Sequence, residues 1–350
     1  MGLAAKLAAK GITNDKAQEV KGFLSTGNPV LDQRLSGKYV GGGIPQGRIT
    51  EIAGPSSAGK TAMASNIMAE AQKAGGVAIF MDHEKTFEIS YACATFGMTD
   101  DEDQWIYKRP MTYEESWDTV REILYTIRGI EAKRLKNGDF KIEFKDPIIP
   151  YETPVVVVFD SLASMTPQEK FGKSSEDQGM RDKLALAALT SVTFDVMASI
   201  AEQTNTTFVF LNQIRQKPNV THGDDTTTPG GNAPEFYCSS RLRLGKAVLY
   251  DEKAKTKYGT KIRCEVVKNK VWRPFGKTEW EFHFGADGVG RVMVEKAVIE
   301  ELIEIGVIEQ SGAWFTYDGK RYQGKENLSR AIIEEEGGYE RLLTFLPAGE

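Results

Sequence analysis

Residues 54–61 read GPSSAGKT, which matches the spacing G-x-x-x-x-G-K-[ST] of a loop that cradles a nucleotide triphosphate. Gly54 and Gly59 let the loop through Pro55, Ser56, Ser57 and Ala58 turn backbone N–H groups inward. Lys60 then reaches the β and γ oxygens, and Thr61 offers its hydroxyl to Mg²⁺. The residues before the loop, RITEIA (48–53), read as a short strand. Those after it, TAMASNIMAEAQKA, carry apolar residues at helical spacing and stop at Gly75–Gly76. A strand before the loop and a helix after it are what such a loop needs. Asp160 closes the apolar run VVVVFD, where a second Mg²⁺ carboxylate belongs. A further carboxylate past the strand VAIFMD (77–82) would orient an attacking water as general base. On spacing alone Asp82, Glu84 and Glu88 compete for that role.

The elements that must position these groups follow from pattern. VAIFMD, VVVVFD (155–160) and TTFVFLNQ (206–213) are near-continuous apolar runs, as expected of strands buried on both faces. Between them, SWDTVREILYTIRGIEAKRL (116–135) and LALAALTSVTFDVMASIAEQ (184–203) read as helices. This alternation predicts an α/β fold with a mostly parallel central sheet covered by helices. From about Phe236 the strands RLRLGKAVLY, KIRCEVVKNK and KTEWEFHF look antiparallel, and the last sixty or so residues return to a helical pattern around VIEELIEIG. Residues 1–22 read as a short Ala/Leu-rich helix and a polar link.

The chain of 350 residues is 41% hydrophobic and 27% charged, an ordinary soluble composition. No continuous apolar run approaches the ~18 residues of a membrane span, and the N-terminus lacks the apolar core of a secretory signal. Cys93, Cys238 and Cys264 lie far apart without CxxC pairing, which fits a reducing compartment and no zinc site, and the three histidines are equally scattered. A net charge of −5 excludes a uniformly basic nucleic-acid binder but leaves room for a local basic channel.

The stretch FLNQIRQKPNVTHGDDTTTPGGNAPEFY resembles a RecA-type homologous recombinase. So do VVKNKVWRPF (266–275), GAWFTYDGKRYQGKENLSRAI (312–332) and LSTGNPVLDQRLSGKYVGGGIPQGRITEIAGPSSAGKT, together covering a span of about 300 residues in the family's motif order. The resemblance implies a RecA-like P-loop ATPase core over 25–284, an N-terminal helix and linker for polymerisation over 1–24, and a small α+β C-terminal domain over 285–350. It implies that Glu84 is the catalytic glutamate, that Tyr91 stacks on adenine with Glu88 near its amino group, and that Gln213 senses the γ-phosphate. Lys268 and Lys270 would reach a neighbouring subunit's nucleotide, and Phe236 would link nucleotide state to filament geometry. The longer middle segment, set against the bacterial housekeeping pattern, suggests a phage or mobile-element version.

Two long polar loops would face DNA, one over about Glu169–Asp182 and one over about Ile214–Asn232. Arg215 and Lys217 form the basic end of the second, Thr227 and Thr228 add hydroxyls, and Gly230, Gly231 and Asn232 offer backbone N–H groups for sequence-independent contacts. The family tends to carry a bulky apolar residue where this chain has His222. The helix body after the first loop lacks the family's basic residues, and Arg181 and Lys183 at its start would substitute. The insertion AKRLKNGDFKIEFK (132–145), with five basic and two acidic residues, reads as a hairpin turning at Asn137–Gly138, first as a solvated surface element and second as a contact to DNA or a neighbouring subunit.

The expectation is an ATP- and Mg²⁺-dependent recombinase of the bacterial cytoplasm, host- or phage-encoded, with no membrane partner. It would polymerise on single-stranded DNA as a helical filament, pair it with homologous double-stranded DNA and exchange strands, with DNA-stimulated ATP hydrolysis. Mediator and single-strand-binding proteins are expected partners. The rival expectations are a RecA-core ring motor of helicase type and a structural single-strand-binding filament that uses ATP only to assemble.

Overall fold

In a computed structural model, which describes residue 9 and residues 19–135, 139–171, 180–216 and 226–348, the apolar runs become neighbouring strands of one sheet. The sheet contains β1 (Ile49–Gly54), β2 (Val77–Asp82), β3 (Trp105–Lys108), β4 (Val155–Asp160), β5 (Thr206–Gln213), β6 (Ser240–Asp251), β7 (Thr256–Asn269), β8 (Lys277–Phe284) and β9 (Gly290–Met293). Its nine strands lie in the order β9-β8-β7-β6-β1-β5-β4-β2-β3. Pairing is parallel from β3 across to β6 and antiparallel from β6 out to β9. The α/β class and the change to antiparallel strands near Phe236 agree with the sequence reading. The four-residue strand β9 belongs to the sheet edge, so the sheet runs past residue 284.

Side chains alternate between two cores because successive strand residues face opposite ways. Val156, Val158, Val209 and Leu211 face α2 (Lys60–Lys73) through Met63, Ile67 and Met68. Val155, Val157, Phe159, Phe208 and Phe210 face α4 (Tyr113–Ile127) and α5 (Met180–Thr204) through Val120, Leu124, Phe194 and Met197. Phe159 and Phe210 stack at 4.4 Å with planes 3° apart. Each such side chain contributes about 1.5–3 kcal/mol on burial, so the central strands cannot slip register without large loss. Residues 185–204 of α5 have the length and hydropathy to cross a membrane, yet this helix lays Phe194, Met197, Ile200 and Ala201 against the sheet.

A third core joins α1 (Pro29–Ser36) to the C-terminal segment. Val30 and Tyr39 pack there with Val298 and Leu302 of α7 (Glu295–Glu304) and with Ile308, Phe315, Leu328 and Leu342. Arg34 grips the buried Glu301 with two bonds of 3.0 and 2.5 Å, and the Tyr39 hydroxyl donates to the same carboxylate at 2.5 Å. The segment also carries a small sheet of Glu309–Ser311, Trp314–Tyr317 and Lys320–Gln323. The helix expected over residues 1–22 falls almost wholly outside the described residues.

The helix expected over 116–135 is shorter than its composition suggested. It ends at Ile127, and Ile130–Arg134 instead pairs antiparallel with Phe140–Phe144 as a ribbon. Gly129 adopts φ +65°, which breaks the helix. Arg128, 2% exposed, donates to the carbonyls of Thr204, Ile149, Pro150 and Thr153 and lies 5.4 Å from the Tyr151 ring. It therefore fastens the end of α4, the end of α5 and the chain leaving the ribbon. The ribbon's charged face pairs Lys133 and Lys141 with Glu143, and Lys133 and Lys145 with Glu131. The Asn137–Gly138 turn lies outside the described residues. Arg128→Met would leave several buried carbonyls without a donor and is expected to destabilise the fold by about 2–3 kcal/mol. Urea unfolding checks this, and an unchanged midpoint would show that the carbonyls find other partners.

Candidate active site

Four parallel strands deliver their polar ends to one place. Pairing sets Gly54 of β1 abreast Gln213 of β5, and Asp82 of β2 abreast Asp160 of β4. Ligands of open α/β sheets bind at such carboxyl ends, where strand order reverses. Here β1 lies between β5 and β6, while the chain leaving it returns to the sheet at β2, on the far side of β5 and β4.

The phosphate-type loop runs from β1 into α2, whose first residue is Lys60. Gly59 sits at φ +87°, and a Cβ there would come within 2.7 Å of Ile262 Cδ1 on β7, so the antiparallel strands wall the loop. Ser57 and Lys85, both non-glycine, adopt left-handed φ of 58° and 59° at the borders of the site. The Lys60 ammonium donates to the carbonyls of Gly54 at 3.0 Å and Pro55 at 2.9 Å. Burial holds it below its ordinary pKa, against the pull of Asp160 and Glu84. Lys246 of β6 donates to the Ser56 carbonyl at 2.7 Å. Three successive loop carbonyls are thus held by cations.

Thr61 Oγ1 donates to Asp160 Oδ2 at 2.9 Å. These two hard oxygen donors suit Mg²⁺, which takes few protein ligands and keeps several waters. Burial pushes the Asp160 carboxyl up to about 6. The Thr61 bond opposes that shift, and Glu84 and Asp82 add to it.

The three competing carboxylates separate by geometry. Asp82 is buried, and its oxygens accept from the Lys85 and Phe87 N–H groups and the Tyr107 hydroxyl, so it shapes the turn after β2. Glu84 is exposed, and Ser161 and Ser164 both donate to its Oε1, at 2.6 and 3.2 Å. His83 beside it is kept neutral. Burial draws its imidazole down to about 4, and Nε2 meets Ser116 Oγ at 3.0 Å. Glu88 lines a cavity of about 550 Å³ that opens beside Gly59 and Thr61, with Phe87, with Tyr91 and Phe96 of α3 (Ile89–Phe96), and with Ile262 and Phe282 as its apolar walls.

Lys268 and Lys270 lie apart from this cradle. Both ammonium groups reach carbonyls at the end of α6 (Ala233–Tyr237): Lys268 those of Glu235 and Phe236, and Lys270 that of Phe236 at 2.8 Å. Lys268 is six residues up β7 from Ile262, roughly 20 Å by strand rise. The Phe236 side chain is 67% exposed.

Arg215 and Gln216 pair with Thr227 and Thr226, closing the root of the second loop. Lys217 and His222 lie outside the described residues, as do the side chains of Arg181 and Lys183. Thr228 accepts from Arg241 at 3.4 Å. Gly230 gives its carbonyl to Thr190 on α5 at 2.7 Å, and Gly231 lies against Ala187, so these glycines have a packing reason for being small. Asn232 is exposed at the start of α6.

Sequence reasoning passed over Ser161, Ser164, Lys246 and Glu51. Glu51 did leave a signal, an acid in the middle of the buried strand ITEIAG.

A sequence model of the RecA N-terminal domain matches residues 6–132 and 129–289. The chain is 34% identical to Protein RecA of Geobacter sulfurreducens over 324 residues, 92% of this chain and 83% of that one. It is 35% identical to Protein RecA of Methylobacterium sp. over 316 residues, covering 89% and 75%. It is 34% identical to Protein RecA of Thermus aquaticus over 296 residues, covering 84% and 76%.

The Asp160 carboxyl titrates at 3.8 when unperturbed and at about 6 in the fold. The folded state therefore holds an extra proton between those values, and the stability this confers is present below about pH 4 and lost as pH rises through 6. Without divalent cations, wild type should lose about 2–3 kcal/mol relative to Asp160→Asn between pH 4 and pH 7. Urea unfolding at both pH values measures the difference, and parallel losses would refute the assignment.

Proposed function

Because the chain belongs to the RecA family, we propose that it is an ATP-dependent recombinase that polymerises on single-stranded DNA and catalyses homologous pairing and strand exchange. The observation that carries this reading is the convergence of the Gly54–Thr61 loop, Asp160, Glu84 and Gln213 at four neighbouring strand ends, with the second loop rooted directly beyond Gln213. Family membership favours this function over the ring motor and the passive filament.

In this reading Lys60 leaves the Gly54 and Pro55 carbonyls to meet β and γ oxygens, and the loop N–H groups from Ser56 to Thr61 hold the triphosphate. The base sits in the apolar cavity against Tyr91, with Glu88 at its polar edge. Thr61 and Asp160 would hold Mg²⁺, which would neutralise phosphate charge when bound. Ser161 and Ser164 fix Oε1 of Glu84, leaving Oε2 to accept the proton of the attacking water. Gln213, level with Gly54, hydrogen-bonds the γ-phosphate and lets go after hydrolysis.

Lys268, Lys270 and Phe236 are assigned to the face that meets the next subunit, where the two ammonium groups would exchange α6 carbonyls for a neighbour's phosphates. Arg181, Lys183, Arg215, Lys217, Thr227, Thr228 and the Gly230–Asn232 stretch are assigned to DNA. We assign residues 1–24 to polymerisation, 25–284 to the ATPase core, whose sheet is completed by β9 from the segment that follows, and 285–350 to a small C-terminal domain. Mediator and single-strand-binding proteins complete the set of partners, in a bacterial cytoplasm, whether the gene is the host's or a phage's.

Glu84→Gln should lower ATP turnover at least about 100-fold while ATP-dependent binding to single-stranded DNA stays within about threefold. Phosphate release and fluorescence anisotropy on the same preparations test this, with electron microscopy for helical filaments. Loss of turnover and DNA binding together would sink the general-base assignment. Rings, or wild-type turnover indifferent to DNA, would sink the recombinase reading.

A further inference from the structure

Glu51 lies in the middle of β1, three residues before the cradle begins at Gly54, and is 1% exposed. A carboxylate buried this deeply is costly unless both oxygens are paired. Oε1 accepts from Asn212 Nδ2 at 2.8 Å, and Oε2 accepts from Arg241 Nε at 2.6 Å. Burial pulls the Arg241 guanidinium down, but the charge and hydrogen bond of Glu51, with smaller help from Cys238 and Glu235, leave it raised on balance. Each partner donates a second bond, and both donated bonds go to the returning arm of the second loop, while Asn212 Oδ1 accepts from the Gln213 N–H at 3.0 Å. Asn212 Nδ2 also donates to the Pro229 carbonyl at 2.9 Å, and Arg241 Nη2 donates to Thr228 Oγ1 at 3.4 Å. A polar cavity of about 230 Å³, lined by Glu51, Arg241, Thr226, Thr228 and Asn232, lies under this arm.

A well-packed apolar pair would stabilise this spot as well as an ion pair does, so the ionic group calls for a reason other than stability. The bond pattern supplies one. Resting on the recombinase reading above, we propose that Glu51 is a positioning residue that carries the state of the phosphate cradle to the second loop by a route separate from the Gln213 side chain. Glu51 and Gly54 share one strand, so a shift of the cradle is a shift of the carboxylate. Asn212 and Arg241 are each held from one side by Glu51 and hold the loop arm from the other. Arg241 does so through a planar two-point fork that an ammonium cannot reproduce.

The test uses the full chain and a fluorescent oligo-dT strand. Its affinity is measured with Mg²⁺ and either a slowly hydrolysed ATP analogue or ADP, and the ratio of the two reports the coupling. In wild type the ratio should be well above one. Glu51→Gln should cut it about tenfold, while DNA-free affinity for the analogue stays within about threefold. Arg241→Lys, which keeps the charge, should fall between the two and guards against misfolding of the first variant. In a Gln213→Ala background Glu51→Gln should lower the ratio further, as two separate routes require. An unchanged ratio overturns the proposal. So does a joint fall of ratio, nucleotide affinity and melting temperature in both variants, which would make the pair mere scaffold. No added effect over Gln213→Ala would show that the route runs through Gln213. A wild-type ratio of one instead overturns the recombinase reading itself.

Discussion

The backbone ladders that pair β1 with β5 and β2 with β4 set Gly54 level with Gln213 and Asp82 level with Asp160. Every polar group of the site hangs from that levelling. A one-residue slip of β5 would turn Phe208 and Phe210 from one core to the other and carry Gln213 away from the loop. The two apolar cores that fix the register therefore also fix the chemistry, and the site needs no scaffold of its own. Its moving parts are side chains, loops and small displacements of strands whose register stays fixed.

Buried charge follows a consistent rule here. Asp82, Glu51 and Glu301 are each nearly sealed from solvent, and each accepts at least three hydrogen bonds or is held by an arginine. The groups assigned above to phosphate and metal are left less satisfied. Lys60 and Lys270 donate to neutral carbonyls, which are weaker partners than anions. Asp160 has one hydroxyl donor and a raised pKa. The contrast between saturated and undersaturated groups separates fixed parts from working parts without reference to any ligand.

Much of this was legible in the sequence because the relevant signals are local. VAIFMD, VVVVFD and TTFVFLNQ are apolar on both faces and became strands with the expected bounds, and the glycine loop sits where its pattern demands. What was illegible depends on distance along the chain. GIEAKRL has the composition of a helix, and only its antiparallel partner at 140–144 and the left-handed Gly129 make it a strand. Glu51 stands out as a buried acid, but its partners lie 161 and 190 residues away, so no local pattern names them. The serines that hold Glu84 follow β4 and meet it only because β2 and β4 are neighbours. The family resemblance named Glu84 from sequence, yet the reason Asp82 is unsuited to the same task appears only in the hydrogen bonds that consume it.

The outermost strands of the large sheet, Trp105–Lys108 and Gly290–Met293, are four residues each, against fourteen for β7 within. Short borders offer few unpaired backbone groups to a stranger's strand, which is how native sheets resist edgewise aggregation. A chain that polymerises, as proposed above, has particular need of such blunt margins. Growth by strand addition would be permissive and hard to reverse, as in amyloid. With its margins blunted, the large sheet offers little template for such uncontrolled addition.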